Sequence, residues 1–258
     1  MIGNNSIYPS HHPSLGLVIG TYGSVPYIHL HLESWIRNCR DVPVLIHDDC
    51  SPHRDQLEDL CRDYGVDFYS NPSRCGHIVG DMMIYPHALH WAEERGLDIL
   101  VKFSRRFVPV IPWQNELGLL AYKTQQATFS GRCEHESWTF RTDCVAMHVR
   151  SWLDYDGLEP IHRHIEAGKW VYVETVVQEG ARRVHEHACD TARRYLEQNP
   201  PEEGRDGYAY WSLPGCNRRV PRHNVLWHEC SSPVEYHRAI AQYGVGRYST
   251  EDFTAEGY

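Results

Sequence analysis

The chain has 258 residues, 41% apolar and 23% charged, enough to bury one large core with an appendage, which excludes a wholly disordered protein. Lys and Arg number 25 against 34 Asp and Glu, so the formal net charge of −9 argues against general nucleic-acid binding or an anionic-membrane surface, while a local basic site stays compatible. No apolar run approaches the roughly 18 to 20 residues of a membrane span, and residues 1–14 lack a basic stretch followed by an apolar one, so the expectation is a cytoplasmic protein.

Leu15-Gly16-Leu17-Val18-Ile19-Gly20 is a continuous apolar run ending in Thr21-Tyr22-Gly23-Ser24, the pattern of a buried strand entering a loop. Val25, Ile28, Leu32, Trp35, Ile36 and Cys39 then share one helical face, with Pro26 acceptable in the first turn. A second strand, Val42 to His47, ends at Asp48-Asp49-Cys50-Ser51-Pro52. The stripe Leu57, Leu60, Cys61 and Tyr64 gives a helix before Gly65, and Val66 to Tyr69 a third strand. A loop from Asn71 to Gly80 leads to a helix marked by Ile84, Ala88, Trp91, Ala92 and Arg95 and closed by Gly96. Leu97 to Phe103 forms the fourth strand. Strands alternating with helices in this way imply right-handed crossovers and a mainly parallel sheet, with ligands beyond the carboxyl ends of the strands. The loops after Gly20, His47 and Phe103 are therefore where a site is expected.

The second half is less regular: a helix from Pro112 to Lys123, a strand-rich stretch from Ala127 to His148, and a helix from Glu159 to Ala167 closed by Gly168. Val177, Ala181, Val184, Ala188, Ala192 and Tyr195 mark a long helix, and a loop-rich tail follows. The expected class is α/β: an N-terminal tail (1–14), a main unit (15–198) in two halves (15–107 and 108–198), and a C-terminal extension (199–258) packed on the same unit. Nine Cys without a CxxC pair read as reduced thiols. His185-Glu186-His187-Ala188-Cys189, and His223 with His228-Glu229-Cys230, hold ligand-type residues, but neither matches a standard zinc spacing, so no metal ligand is assigned.

The order of Val18-Ile19-Gly20-Thr21-Tyr22, Asp48-Asp49-Cys50-Ser51, the Gly76–Ala92 loop and helix, and Asp98-Ile99-Leu100-Val101-Lys102 resembles the GT-A glycosyltransferases, particularly the family 2-like enzymes, over roughly residues 15 to 185. The resemblance implies a GT-A fold whose 15–107 half binds a nucleotide-diphosphate sugar and whose 108–198 half takes a hydroxyl-bearing acceptor, a glycan or a small molecule. It sets Thr21 and Tyr22 beside the donor base and Asp48 or Asp49 on the base or ribose; an aromatic face and a carboxylate at a strand end suit those partners. Asp49 or Ser51 can equally begin the next turn and helix.

The chain departs from the family after the fourth strand. Where those enzymes usually carry an Asp-x-Asp motif that binds a divalent ion, this one has Ser104-Arg105-Arg106. Lys102, Arg105 and Arg106 supply positive charge instead, so no cofactor is required and Mg²⁺ or Mn²⁺ is not favoured. Continued strand alternation sets Lys102, Ser104 and Arg106 on one face and Phe103 and Arg105 on the other, so not all three cations are expected to reach a ligand. A surface salt-bridge cluster with acids such as Asp98 is the competing account. Arg74 and His77 flank the loop near the diphosphate, and Asp81 either caps the following helix or bonds the donor sugar.

In the acceptor half, Trp138-Thr139-Phe140-Arg141-Thr142-Asp143-Cys144 resembles the segment that builds the acceptor cleft, with Trp138, Arg141 and Asp143 as candidate contacts; core packing explains the aromatics equally. Glu174, in Trp170-Val171-Tyr172-Val173-Glu174-Thr175, stands where an inverting member keeps its general base, although Thr175 replaces the usual Asp; a favourable charge at a helix N-terminus is the rival role. The expected activity is sugar transfer. A nucleotidyltransferase, which needs a Gly-rich basic loop that Thr21 to Pro26 lacks, and a non-catalytic nucleotide-sugar or carbohydrate binder are the alternatives. Tyr208, Tyr210 and Trp211 suit covering of the acceptor cleft or a homo-oligomeric contact.

Overall fold

The structure, a computed structural model, describes residues 13–114, 142–168, 171–186, 225–227 and 231–254. Strand and helix alternate through its N-terminal part: β1 (Leu15–Thr21), α1 (Val25–Cys39), β2 (Val44–Asp48), α2 (Arg54–Tyr64), β3 (Asp67–Ser70), α3 (His77–Glu94) and β4 (Ile99–Ser104). After them come β5 (Phe107–Pro109), β6 (Cys144–His148), α4 (Val149–Asp154), α5 (Glu159–Ala167), α6 (Val173–Glu186), β7 (Val225–Trp227), α7 (Pro233–Tyr243) and α8 (Glu251–Thr254). The main sheet has the order β3-β2-β1-β4-β6. Its first four strands run parallel and β6 pairs antiparallel to β4.

The continuous apolar character of β1 follows from a sheet covered on both faces. Leu17 and Ile19, with Val44, Ile46, Val101 and Phe103 from the neighbouring strands, pack against Ile28, Leu32 and Trp35 of α1 and Leu57, Leu60 and Cys61 of α2. The alternate residues Val18, Leu45 and Leu100 face Met82, Tyr85 and Leu89 of α3, Trp152 of α4, Ile161 of α5 and Val176 and Val177 of α6. Each such buried aliphatic side chain contributes about 1.5–3 kcal/mol. Gly65 ends α2 in the left-handed conformation (φ 67°), as its place after the helical stripe requires.

Three sequence expectations change. The helix expected around Ile84 starts at His77, so Asp81 lies one turn inside α3 and is not its cap. Residues from Met82 to Ala92 are buried around most of its circumference, which erases the single apolar stripe, and the interior Pro86 hides its continuity. Strand β4 ends at Ser104 and the chain turns at Arg105-Arg106, so the alternation of Lys102 to Arg106 stops before the arginines. The tail expected to be loop-rich contains α7, which opens on a capping box between Ser232 and Glu235 with Pro233 in the first turn. Residues 115–123 of the helix expected from Pro112 to Lys123, the stretch 127–141 and the long helix beyond Glu186 lie outside the described residues.

Residues 231–254 build a third core against the outer side of α1. Tyr236 and Phe253 meet Tyr27 edge-on, at centroid distances of 6.0 and 5.1 Å. The Tyr27 hydroxyl donates to the Phe253 carbonyl at 2.6 Å. β5 pairs antiparallel with β7, placing Val108 and Leu226 in the same core.

Candidate active site

Parallel pairing in register brings Gly20 opposite His47 and Ser104, so the carboxyl ends of β1, β2 and β4 finish level. Above them lies a cleft of about 670 Å³. Thr21, Tyr22, Asp49, Arg74, Asp81, Lys102, Ser104, Arg105, Arg106, Asp143 and Glu174 all line it. The turn after Ser104 is what lets Lys102, Arg105 and Arg106 all reach one cleft, against the expectation from strand alternation.

Lys102 is 1% exposed, and its ammonium donates to Asp81 Oδ1 and to the Thr142 carbonyl, both at 2.8 Å. A charge so buried is tolerable only when paired and hydrogen-bonded, and Asp81 supplies that pairing from α3. Asp98, offered as an ion-pair partner for these cations, instead accepts from the Ser14 backbone N–H and hydroxyl at the opposite end of β4. Ser104 donates its hydroxyl to Asp143 Oδ1 at 2.6 Å, and its N–H to the Asp143 carbonyl at 2.8 Å.

The two adjacent aspartates divide their work. Asp48 is fully buried, does not line the cleft, and accepts on Oδ2 from the Ser51 N–H and the Ser70 hydroxyl, both at 2.9 Å. Its assignment to the nucleotide is therefore corrected: it ties β2 to β3 and to the next turn. Asp49, 6% exposed, accepts from Asn71 Nδ2 at 2.8 Å and from the N–H groups of Cys75 and Gly76 at 2.9 Å. Those three donors shape the loop that delivers Arg74 and the start of α3. Asp49 also needs Gly80, where an added Cβ would fall 2.5 Å from its Oδ2. Because Asp49 is held by three donors it cannot yield, and Gly80→Ala is expected to cost about 1–3 kcal/mol, read as a melting temperature lowered by roughly 2–4 °C per kcal/mol. An unchanged melting curve would mean that the loop moves freely.

Arg74 stacks its guanidinium over Tyr22, 4.1 Å from the ring centroid, joining the β1 end to the loop after β3. Glu174 is the second residue of α6 and lines the cleft beside Val173. Burial, then the charges of Asp81, Glu174 and Asp143, push the Tyr85 phenol well above its ordinary range, so three carboxylates act on one buried hydroxyl. Trp138 and Arg141 lie outside the described residues.

Sequence reasoning missed His31 and His47. Both are buried among apolar neighbours, burial holds His31 down at about 4 and His47 at about 3, and no spacing rule marks either. His47 lines the cleft and its Nε2 lies 2.9 Å from His87 Nδ1. Among the described residues Thr21 Oγ1 and His47 Nδ1 are buried without hydrogen-bond partners at the strand ends beneath the cleft, where ordered water would ordinarily complete such groups.

The residues at the β4 terminus do not suit a divalent ion. The carboxylate nearest Lys102, Asp81, already carries that ammonium, and the side chains that follow Ser104 are guanidiniums. Among the described residues no group of three or more His, Cys, Asp or Glu is placed to hold a metal ion. No described helix is long and apolar enough to cross a membrane.

No family model matches the chain. No curated protein matches it either. Among solved structures, S. aureus TarS 1–349 is similar at 12% identity over 68% of this chain and 56% of its own, with a TM-score of 0.48. The same protein in complex with UDP gives 12% identity, 66% and 55% coverage, and a TM-score of 0.47. A cytidylyltransferase from Leptospira borgpetersenii serovar Hardjo-bovis gives 14% identity over 95% of this chain and 93% of its own, with a TM-score of 0.42. The chain spans 30% of another TarS chain and 56% of the 1–349 form.

Proposed function

We propose that the cleft binds a nucleotide-diphosphate sugar and transfers its sugar to a hydroxyl acceptor. The observation that carries this reading is the meeting, at the carboxyl ends of parallel strands, of Lys102, Arg105 and Arg106 with the four carboxylates of Asp49, Asp81, Asp143 and Glu174 and an arginine-stacked tyrosine in one cleft. Tyr22 offers a flat face for a base, and Arg105 and Arg106 offer forked donors for phosphate oxygens. Lys102, neutralised by Asp81, adds less net charge than its type suggests and serves to fix α3 against β4.

In this reading Glu174 takes the proton of the acceptor hydroxyl as its oxygen attacks the anomeric carbon. The new C–O bond forms while the bond from that carbon to the diphosphate breaks, its electron pair leaving with the diphosphate. The guanidiniums stabilise the charge that develops there, and configuration inverts. Asp143, in the same cleft, is of the type that accepts from substrate hydroxyls. Metal-independence follows in this proposal from the ammonium and guanidinium groups occupying the place of a divalent ion.

The test is calorimetric titration of the full chain with UDP, GDP, CDP and dTDP, each with Mg²⁺ and again with EDTA, followed by turnover of the matching nucleotide sugars. One diphosphate is expected to bind equally with EDTA. Binding that needs Mg²⁺ would overturn the cationic account. Pyrophosphate release from a nucleoside triphosphate and a sugar phosphate would assign nucleotidyl transfer, and binding without any turnover would assign a binding protein.

A further inference from the structure

We infer that His31 is a positioning residue for the turn that presents Arg105 and Arg106 to the diphosphate, an inference that rests on the function proposed above. His31 sits on α1, is 3% exposed, and lines no part of the cleft. Its Nε2 lies 3.2 Å from the Ser104 carbonyl oxygen and 3.1 Å from that of Arg105. Both atoms are acceptors, so Nε2 carries the hydrogen and donates to the pair in a forked bond. Burial, opposed by those same two bonds, holds the ring's pKa at about 4, so it is a neutral donor at pH 7. The ring lies nearly parallel to Phe103, at a centroid distance of 6.3 Å and an angle of 19°, which fixes its plane.

The turn has no Gly or Pro to set its own shape, and it is held from three sides. Arg105 N–H donates to the Gly20 carbonyl of β1 at 3.1 Å, and Ser104 N–H to the Asp143 carbonyl at 2.8 Å. His31 supplies the third hold, on the two carbonyls from α1. These bonds account for the backbone N–H and C=O groups of Ser104 and Arg105, so the Arg105 side chain projects from a fixed base and Arg106 follows directly on it. Preorganised donors stabilise developing charge better than donors that reorganise. Without the imidazole two inward carbonyls lose their donor, and the turn is free to rotate them toward water, carrying the guanidiniums off target.

The test compares wild type, His31→Phe, which keeps the ring and loses the donor, and His31→Gln, whose terminal amide can donate to both carbonyls. For each, affinity for the nucleoside diphosphate that wild type binds is measured by calorimetry, and affinity for the matching nucleoside by NMR titration. His31→Phe is expected to weaken the diphosphate about tenfold and the nucleoside by less than about twofold, with His31→Gln recovering most of the loss. An equal loss for both ligands would mark a merely structural residue and overturn the inference, as would an unchanged diphosphate affinity. Failure of wild type to bind any of the four diphosphates would overturn the proposed function, and this inference with it. Should His31→Phe not fold, His31→Leu, smaller and readily buried, carries the same comparison.

Discussion

Glu174→Gln is expected to lower turnover by about 10²- to 10⁴-fold while nucleoside diphosphate affinity stays within about twofold of wild type. The substitution keeps size and hydrogen-bonding capacity but removes the ability to accept a proton. Glu174 stands in the first turn of α6, where its charge is also favourable to the helix N-terminus. That rival role makes a different demand: loss of a helix-terminal charge costs roughly 0.3–1 kcal/mol of stability and leaves chemistry untouched. Single-turnover rates and a melting curve on the same variant separate the two. A near-normal rate with a slightly lowered melting temperature would assign Glu174 to the helix and leave the base to be sought at Asp143.

Lys102→Met is expected to destabilise the protein by about 3–5 kcal/mol, a fall in melting temperature of roughly 10 °C. Lys102 is 1% exposed and its ammonium holds both Asp81 and the Thr142 carbonyl. Removing it strands a carboxylate that faces Tyr85 and lies in a cleft with three other acids. The companion variant Lys102→Met/Asp81→Asn removes both charges and is expected to recover most of the loss. If the single variant melts within about 2 °C of wild type, the pair contributes no net stability and Lys102 is held for the ligand instead.

The alternation of apolar runs and helical stripes up to Phe103 was legible because β1, β2 and β4 are buried on both faces while α2 exposes one side to water. The strand ends, and with them most cleft-lining residues, followed from that pattern. The fate of Asp48 and Asp49 did not, because two adjacent carboxylates differ only in which neighbours turn inward to meet them, and Ser70, Asn71, Cys75 and Gly76 come from beyond the next helix. The reach of the arginines hung on where β4 stops, a matter of hydrogen bonds to Gly20 and Asp143 that no local spacing encodes. His31 was hidden for a related reason: a histidine among Leu30 and Leu32 looks like part of a helix until its bond partners on another strand are known. α7 contradicts the expected loop-rich tail, although Ser232-Pro233-Val234-Glu235 carries a capping box at its start that sequence reasoning missed.

The guanidinium that rests on Tyr22 has a consequence for how a ligand enters. Under the proposed function, a base settling on that face of the ring would find the seat already taken, and Arg74 would have to swing away first. At an exposed site that contact amounts to about 0.5–1 kcal/mol, a two- to fivefold toll on affinity. Once displaced, the side chain is a mobile cation at the mouth of the cleft, free to follow the negative charge that the newcomer brings. If Tyr22 is the stacking surface of the proposed donor, the resting protein keeps it covered by the very group that the guest would release.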